Sequence, residues 1–257
     1  MKNVTSYNES AWNHQARSGN KWTIPVAPDV IAKARQGDWE IVLTPVKAVP
    51  REWFGELKGK KVLGLASGGG QQCPVLAAAG ADVTLLDFSA EQLGKDRLVA
   101  ERDGLEIATV QGDMRDLSTF ADNTFDLIFH PVSNTFIPDV LPVWREAFRV
   151  LKPGGELLAG VINPVYYLFS ENDLLNSDTL TVRYKIPFSD LEQLSDEERQ
   201  KYIDDNEPLV FGHTLDDQIG GQLRAGFVLI DMYEDGWPEV SLDKYIKSML
   251  ATRARKP

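Results

Sequence analysis

Residues 63–72 read LGLASGGGQQ. The stretch leaves what reads as a buried strand, Lys61 to Leu65, through residues with almost no side chains. Glycine loses more conformational freedom on folding than any other residue and packs nothing in return. Such a run persists where the backbone bends sharply or where something must lie close against it, so the first question is what needs the room.

The surrounding pattern alternates strand and helix. Pro74 to Ala79 reads as a helix stopped by Gly80, and Asp82 to Leu86 as a second strand. Ser89 then caps a helix running to about Arg102, with Gln92 three residues on completing a capping box. Ile107 to Val110 and Phe125 to Phe129 follow as strands, then a helix from Asp139 to Leu151 ended by Pro153-Gly154-Gly155, and a strand from Glu156 to Ile162. The regularity breaks over residues 163–208, which hold prolines, tyrosines and an acidic patch from Asp190 to Glu207 with eight acids against two bases, read as a solvated face in an insertion. Thr214 to Ala225 reads as a helix stopped by Gly226, and Phe227 to Met232 and Ser248 to Ala254 as the last strands. The alternation predicts an α/β fold with a mostly parallel sheet and helices on both faces.

At 257 residues the chain is long enough for one large α/β domain, and two full domains are not expected. The expected organisation is an N-terminal lid with helices over 1–55, a ligand-binding core over 56–162, the insertion over 163–208, and a helix with the closing strands over 209–257. A net charge of −11 repels nucleic acid and anionic membrane surfaces, which leaves a small molecule as the expected partner. The single cysteine, Cys73, cannot form an internal disulfide, and His14, His130 and His213 show no metal-ligand spacing, so no metal is expected. No run approaches the ~20 apolar residues of a membrane span, and the N-terminus lacks a signal-peptide core; a soluble, cytoplasmic protein is the expectation.

In open α/β sheets ligands bind beyond the carboxyl ends of the strands, where strand order reverses. A phosphate-binding turn there has the spacing G-x-G-x-x-G, which this chain lacks. Small residues instead alternate at Gly64, Ala66, Gly68 and Gly70, and Asp87 ends the second strand. This arrangement resembles the class I S-adenosylmethionine-dependent methyltransferases. Gly112-Asp113-Met114, Phe125-Asp126-Leu127-Ile128, Arg149-Val150-Leu151-Lys152-Pro153-Gly154-Gly155 and Leu223-Arg224-Ala225-Gly226-Phe227 are similar to later elements of that family, in the same order, and the whole chain is most similar to its small-molecule, ubiquinone-biosynthesis-like branch.

The resemblance implies a Rossmann-like, doubly wound sheet of seven strands and S-adenosylmethionine as cofactor, leaving S-adenosylhomocysteine as product. It implies that Asp87 binds the ribose hydroxyls, that Phe88 packs on the adenine and that Asp113 meets the adenine amine. The expected cofactor residues are Ala66, Ser67, Gly68, Gly69, Gly70, Gln71, Gln72, Asp87, Phe88, Gln92, Gly112, Asp113, Met114 and His130. The family commonly has an acid at the position of Gly64 and a glycine at that of Ala66; Gln71 and Gln72 are the candidates to supply polar contacts instead.

His130, at the carboxyl end of the fourth strand, is the candidate general base, against the plainer alternative that it lines the pocket or bonds to backbone. Cys73 is read as a packed structural cysteine, and His14 and His213 as surface or capping residues. Acceptor recognition is expected from parts outside the common core: Tyr7, Trp12 and Trp22 in the tryptophan-rich first 53 residues, Asn134 after the fourth strand and Tyr166 after the fifth. A nicotinamide-dependent oxidoreductase and a silent nucleoside-binding module are the competing readings.

Overall fold

The computed structural model describes residues 4–257. Five parallel strands form its centre: β1 (Lys61–Leu65), β2 (Asp82–Asp87), β3 (Ile107–Gln111), β4 (Phe125–His130) and β5 (Leu151–Ile162). A short antiparallel pair, β6 (Phe188–Ser189) and β7 (Phe211–Gly212), lies apart, and β8 (Val228–Asp235) and β9 (Met249–Arg255) complete the main sheet. Its order is β3-β2-β1-β4-β5-β9-β8. The β9 strand runs against both β5 and β8, so it is the one reversed strand of the seven.

Side-chain alternation along the strands builds two cores. Val62, Val83, Leu85, Leu127 and Phe129 face one side, against Ile31, Trp53, Leu76 and Val99. Leu63, Leu65, Leu86, Ile128 and Leu157 face the other, against Val143, Trp144 and Ala147. A sheet buried on both faces is what near-continuous apolar strands require. The first layer of helices includes α2 (Pro28–Arg35), α3 (Gln72–Ala78) and α4 (Ala90–Asp103); the second includes α5 (Leu141–Val150) and α9 (Gly221–Ala225). An N-terminal helix, α1 (Val4–Ser18), packs on α4. Between β5 and β8 the chain forms α6 (Glu171–Asn176), α7 (Asp190–Gln193) and α8 (Asp196–Asp204); α8 buries none of its side chains, which puts much of the acidic patch in water.

Because β1 pairs with β2 on one side and β4 on the other, the chain's direction of travel across the sheet reverses at β1. That reversal opens a crevice beyond the carboxyl ends of these strands.

Three local expectations are corrected. Pro153-Gly154-Gly155 does not end a helix: α5 stops at Val150, Leu151 is already extended, and the motif lies inside β5, beside a register shift in its pairing with β4. Gly154, at φ +78, turns its amide to Lys256 O at 2.8 Å, and Lys256 N returns a bond to Gly155 O at 2.9 Å, so the motif joins the two strand ends. Ser89 accepts from Gln92 N at 3.1 Å, but the other half of the expected capping box is absent, because Asp87 Oδ1 takes the Ser89 amide at 2.9 Å. The helix expected over Thr214 to Ala225 is a π-helical turn, Asp216–Gly220, running into α9.

Candidate active site

The glycine turn after β1 is organised by carboxylates. Gly68 N donates to Asp87 Oδ2 at 3.0 Å, and Gly69 N and Gly70 N both donate to Asp96 Oδ2 at 2.9 Å. Gly68, Gly69 and Gly70 were expected at the cofactor; their three successive amides are taken up by the protein's own acids. The missing side chains make room for neighbouring chain instead. A Cβ on Gly69, at φ +123, would stand 2.7 Å from Trp22 O, and one on Gly70, at φ +73, 3.0 Å from Lys95 O. Residues 20–26 lie across the turn, with Val26 N donating to Gly70 O at 2.9 Å and Gln71 Nε2 donating to Lys21 O and Ile24 O at 3.0 Å each.

Gly64 has an equally local cause. Any Cβ there would overlap Cys73 Sγ, which lies 3.2 Å from Ser67 Oγ, so the space of the family's usual acid is filled by this pair. Burial pushes the Cys73 thiol well above its ordinary range, consistent with a packed role. Ala66 adopts φ +48, a left-handed conformation that costs a side-chain-bearing residue about 1–2 kcal/mol.

Asp87 is 5 % exposed. Burial pushes its pKa up to about 6, against the opposing hydrogen bonds from Ser89, Gly68 and Phe88. Asp96, on the inner face of α4, is driven further: burial, with a contribution from the charge of Asp87, pushes it up to about 7 although Gly70 and Gly69 bond to it. Its second oxygen, Oδ1, has no protein partner. Asp96 escaped the sequence reading because an acid in mid-helix ordinarily faces water; its place on the stripe of Leu93 and Val99 was the available signal.

Beyond these strand ends lies a cavity of about 220 Å³. Of the expected cofactor residues, Ala66, Ser67, Gly68, Gln71, Gln72, Asp87, Phe88, Gln92 and Met114 line it, as do Trp12 and Trp22 of the expected acceptor residues. Two of the lining residues carry a buried polar atom without a protein partner: Gln92 Oε1, an acceptor, and Trp12 Nε1, a donor. Trp12 comes from α1, edge-on to Phe136 with ring centroids 5.0 Å apart, and the neighbouring Asn13 Oδ1 accepts from Ser89 Oγ at 2.8 Å, which brings α1 to the start of α4. Gln71 and Gln72 act as clasps: Gln72 Oε1 accepts from Val42 N at 3.0 Å.

Other expected residues stand off the wall. Gly69 and Gly70 are under residues 20–26. Gly112 abuts Leu86, and its amide donates to Asp87 O at 3.0 Å. Asp113 is paired with Arg115, whose guanidinium also donates to Thr5 Oγ1 at 2.6 Å. Tyr7 donates to Glu207 O at 2.9 Å, and Tyr166 stacks on Trp237 at 6.4 Å, behind the lining rather than in it.

His130 is fully buried, with Nδ1 2.8 Å from Leu65 O and Nε2 2.6 Å from Asn134 Oδ1; Asn134 Nδ2 in turn donates to Gln218 Oε1 at 3.1 Å. Burial lowers the pKa of His130, against the opposing hydrogen bonds with Leu65 and Asn134, and the ring braces β1 against β4 and the π-helical turn. Neither His130 nor Asn134 lines the cavity, which removes the geometric basis for His130 as the base. His213 was expected at the surface and is buried, 3.0 Å from Asn134 O. His14 is exposed. No group of three metal-ligating side chains occurs among the described residues.

The far wall was not foreseen. Residues 42–45 cross the sheet end where Gly160 lacks a side chain; any Cβ there would overlap Leu43 O. Asp235 Oδ2 fixes the crossing by accepting from Thr44 Oγ1 at 2.7 Å and Lys47 N at 2.8 Å. Trp237 closes the rim, 6.2 Å from Trp22, with Lys21 bonded to Glu239 at 3.0 Å.

A seven-stranded doubly wound sheet with one reversed strand, a glycine turn after β1 and a buried carboxylate at the end of β2 defines a class I S-adenosylmethionine-dependent methyltransferase, and the chain belongs to that family. Residues 63–159 match the model of the methyltransferase domain. The chain is 52% identical over 256 residues, 100% of both chains, to the "Uncharacterized methyltransferase YbaJ" of Bacillus subtilis. A ubiquinone biosynthesis O-methyltransferase of Klebsiella pneumoniae is 34% identical over 112 residues, 44% of this chain and 46% of that protein, so that likeness is confined to part of each chain. Among solved structures, an S-adenosylmethionine dependent methyltransferase from Mesorhizobium loti aligns with a TM-score of 0.61 at 20% identity, covering 80% of this chain and 94% of that one. The cofactor is S-adenosylmethionine, and the nicotinamide reading falls away.

Proposed function

We propose that the cavity binds S-adenosylmethionine at its Asp87 end and a small organic acceptor beside it, and that the methyl passes by in-line displacement. The observation that carries this reading is the Asp87 carboxylate, buried at the end of β2, fixed by Gly68 N and lining the cavity together with Gln92 and Trp12.

Asp87 would hold the ribose hydroxyls, Phe88 would pack on the adenine, and Gln92 and Trp12 would bond to polar edges of the nucleoside. Asp96 keeps Gly69 and Gly70 in their bend without touching a ligand. The cofactor, when bound, supplies an activated methyl group, so the demand on the protein is alignment and exclusion of water. The aromatic roof of Trp12, Trp22 and Trp237 serves that exclusion. In this reading residues 1–55 belong to one catalytic unit with the core.

The partner is a small molecule; the charge of −11 disfavours nucleic acid and anionic membranes. No described helix is long and apolar enough to cross a membrane. Calorimetric titration with S-adenosylhomocysteine tests the site: saturable one-to-one binding is expected, lost in Asp87→Ala and absent with NAD. No heat of binding at millimolar ligand overturns the assignment.

A further inference from the structure

The two ends of the cavity differ in their hydrogen-bond accounts. Partnerless atoms stand on the wall reached by Gln92 and Trp12. On the wall formed by residues 42–45, 131–133, Thr135, Ile162, Trp237 and Met249, the hydroxyls are all engaged. Thr44 Oγ1 donates to Asp235 Oδ2 at 2.7 Å, Ser133 Oγ donates to Pro131 O at 2.9 Å, and Thr135 Oγ1 lies 2.6 Å from Tyr167 OH.

Asp87 is the one titratable side chain among the described lining residues, and it is bonded to Gly68 N and Ser89 N. Neither buried imidazole lines the cavity: His130 lies 2.8 Å from Leu65 O and 2.6 Å from Asn134 Oδ1, and His213 lies 3.0 Å from Asn134 O. The acceptor wall therefore has no group to remove a proton and none to pair with a fixed charge.

These facts narrow the acceptor's chemistry. An alcohol needs a base as its oxygen is methylated, and general-base help is ordinarily worth roughly 10²–10⁴-fold. An alkylamine, with a pKa near the ~10.4 of lysine, arrives as an ammonium that finds no carboxylate there. A carboxylate or phosphate would be stripped of water with no donor to replace it. A thiol with a pKa of about 8.5 is already a few per cent thiolate in solvent at pH ~7 without help, and the thiolate is the reactive nucleophile.

We propose, resting on the cofactor reading above, that the acceptor is a small lipophilic thiol. The thiol's proton is released to bulk water, and the sulfur lone pair forms the new carbon–sulfur bond. As it forms, the bond from that methyl to the donor sulfonium breaks, its electron pair staying on the donor, which becomes the neutral thioether. The negative charge of the thiolate and the positive charge of the donor cancel as the new bond forms.

The full chain is first titrated with S-adenosylhomocysteine. The complex is then challenged with benzyl mercaptan, benzyl alcohol, benzylamine and phenylacetate, read by tryptophan fluorescence, to which Trp22 and Trp237 at the rim contribute. Quenching is expected from the mercaptan and the alcohol, and at least tenfold weaker quenching from the two charged analogues. With labelled S-adenosylmethionine, benzyl methyl sulfide is expected at a rate roughly 10²-fold or more above methylation of benzyl alcohol. Its pH midpoint should follow the acceptor, moving down when thiophenol replaces benzyl mercaptan.

Preferred binding of a charged analogue, or methylation of the alcohol at a midpoint that ignores the acceptor's pKa, would overturn the thiol assignment. So would tight binding of S-adenosylhomocysteine with no thiol methylated. Failure to bind S-adenosylhomocysteine at all is a separate result and overturns the cofactor reading itself.

Discussion

The floor of the cavity is held from within, whereas its roof is held from the surface. Under the cavity, Asp87 and Asp96 take three consecutive amides of the glycine turn at 2.9–3.0 Å, out of water. Above it, residues 20–26 and Trp237 meet through aromatic edges and the Lys21–Glu239 pair, whose side chains are 50% and 61% exposed. Buried charge-assisted bonds are costly to break because the groups left behind cannot return to water. Exposed ion pairs contribute little. A rigid floor under a loosely pinned roof suits a site that must bind a nucleoside in one geometry and still admit and release ligands.

The largest test of that contrast is Asp96→Ala. Two buried N–H groups lose their acceptor, and a loss of about 2–4 kcal/mol in unfolding free energy is expected, with cofactor affinity falling alongside. A urea unfolding curve unchanged from the parent would break the comparison at its stronger end. Gly69→Ala comes next: at φ +123, with Trp22 O in the way, it should cost about 1–3 kcal/mol and lift residues 20–26 off the turn. Proteolysis of the N-terminal segment at unchanged rate would show that the roof does not depend on that contact.

A smaller effect is expected with pH. Both floor acids have pKa values raised on folding, to about 6 and about 7, so the folded chain holds protons that the unfolded chain has released. Their contribution to stability is fully present below the unfolded value near 3.8 and is lost as pH rises through 6 and 7. Asp96→Asn should flatten that decline in ligand-free protein, as measured by urea midpoints between pH 5 and 8; an unchanged slope would mean that Asp96 does not titrate there. The smallest effect belongs to the roof. Lys21→Ala should leave the unfolding midpoint unmoved while speeding release of S-adenosylhomocysteine in stopped-flow fluorescence. A marked drop in stability would show the roof to be part of the core.

Much of the floor was legible in the sequence and little of the roof. The strands carrying it declare themselves as short apolar runs, and β1 runs over Lys61–Leu65 as read. Asp87 announces itself by ending such a strand. Asp96 does not, because a charge in mid-helix is ordinarily solvated and its burial depends on how α4 sits against the turn. The glycines were noticed for the right reason, a need for space, but the occupant is the chain itself. Roof contacts such as Trp22 with Trp237, or Thr44 with Asp235, join residues from opposite ends of the sequence, and no local pattern encodes them. Pro153-Gly154-Gly155 misled because the same residues stop a helix or join two strand ends, and only the partner strand decides which.

The crossing of residues 42–45 over Gly160 bears on how the molecule comes into being. During synthesis this segment leaves the ribosome early and meets its first partners in Gln72, which takes the Val42 amide, and Val132, whose amide reaches Leu43 O; its seat on Gly160 and its anchor at Asp235 come later. The half of the cavity that would choose the acceptor is thus begun early and completed nearly last, and a nascent chain halted before β8 would carry a formed glycine turn beside an unfinished compartment.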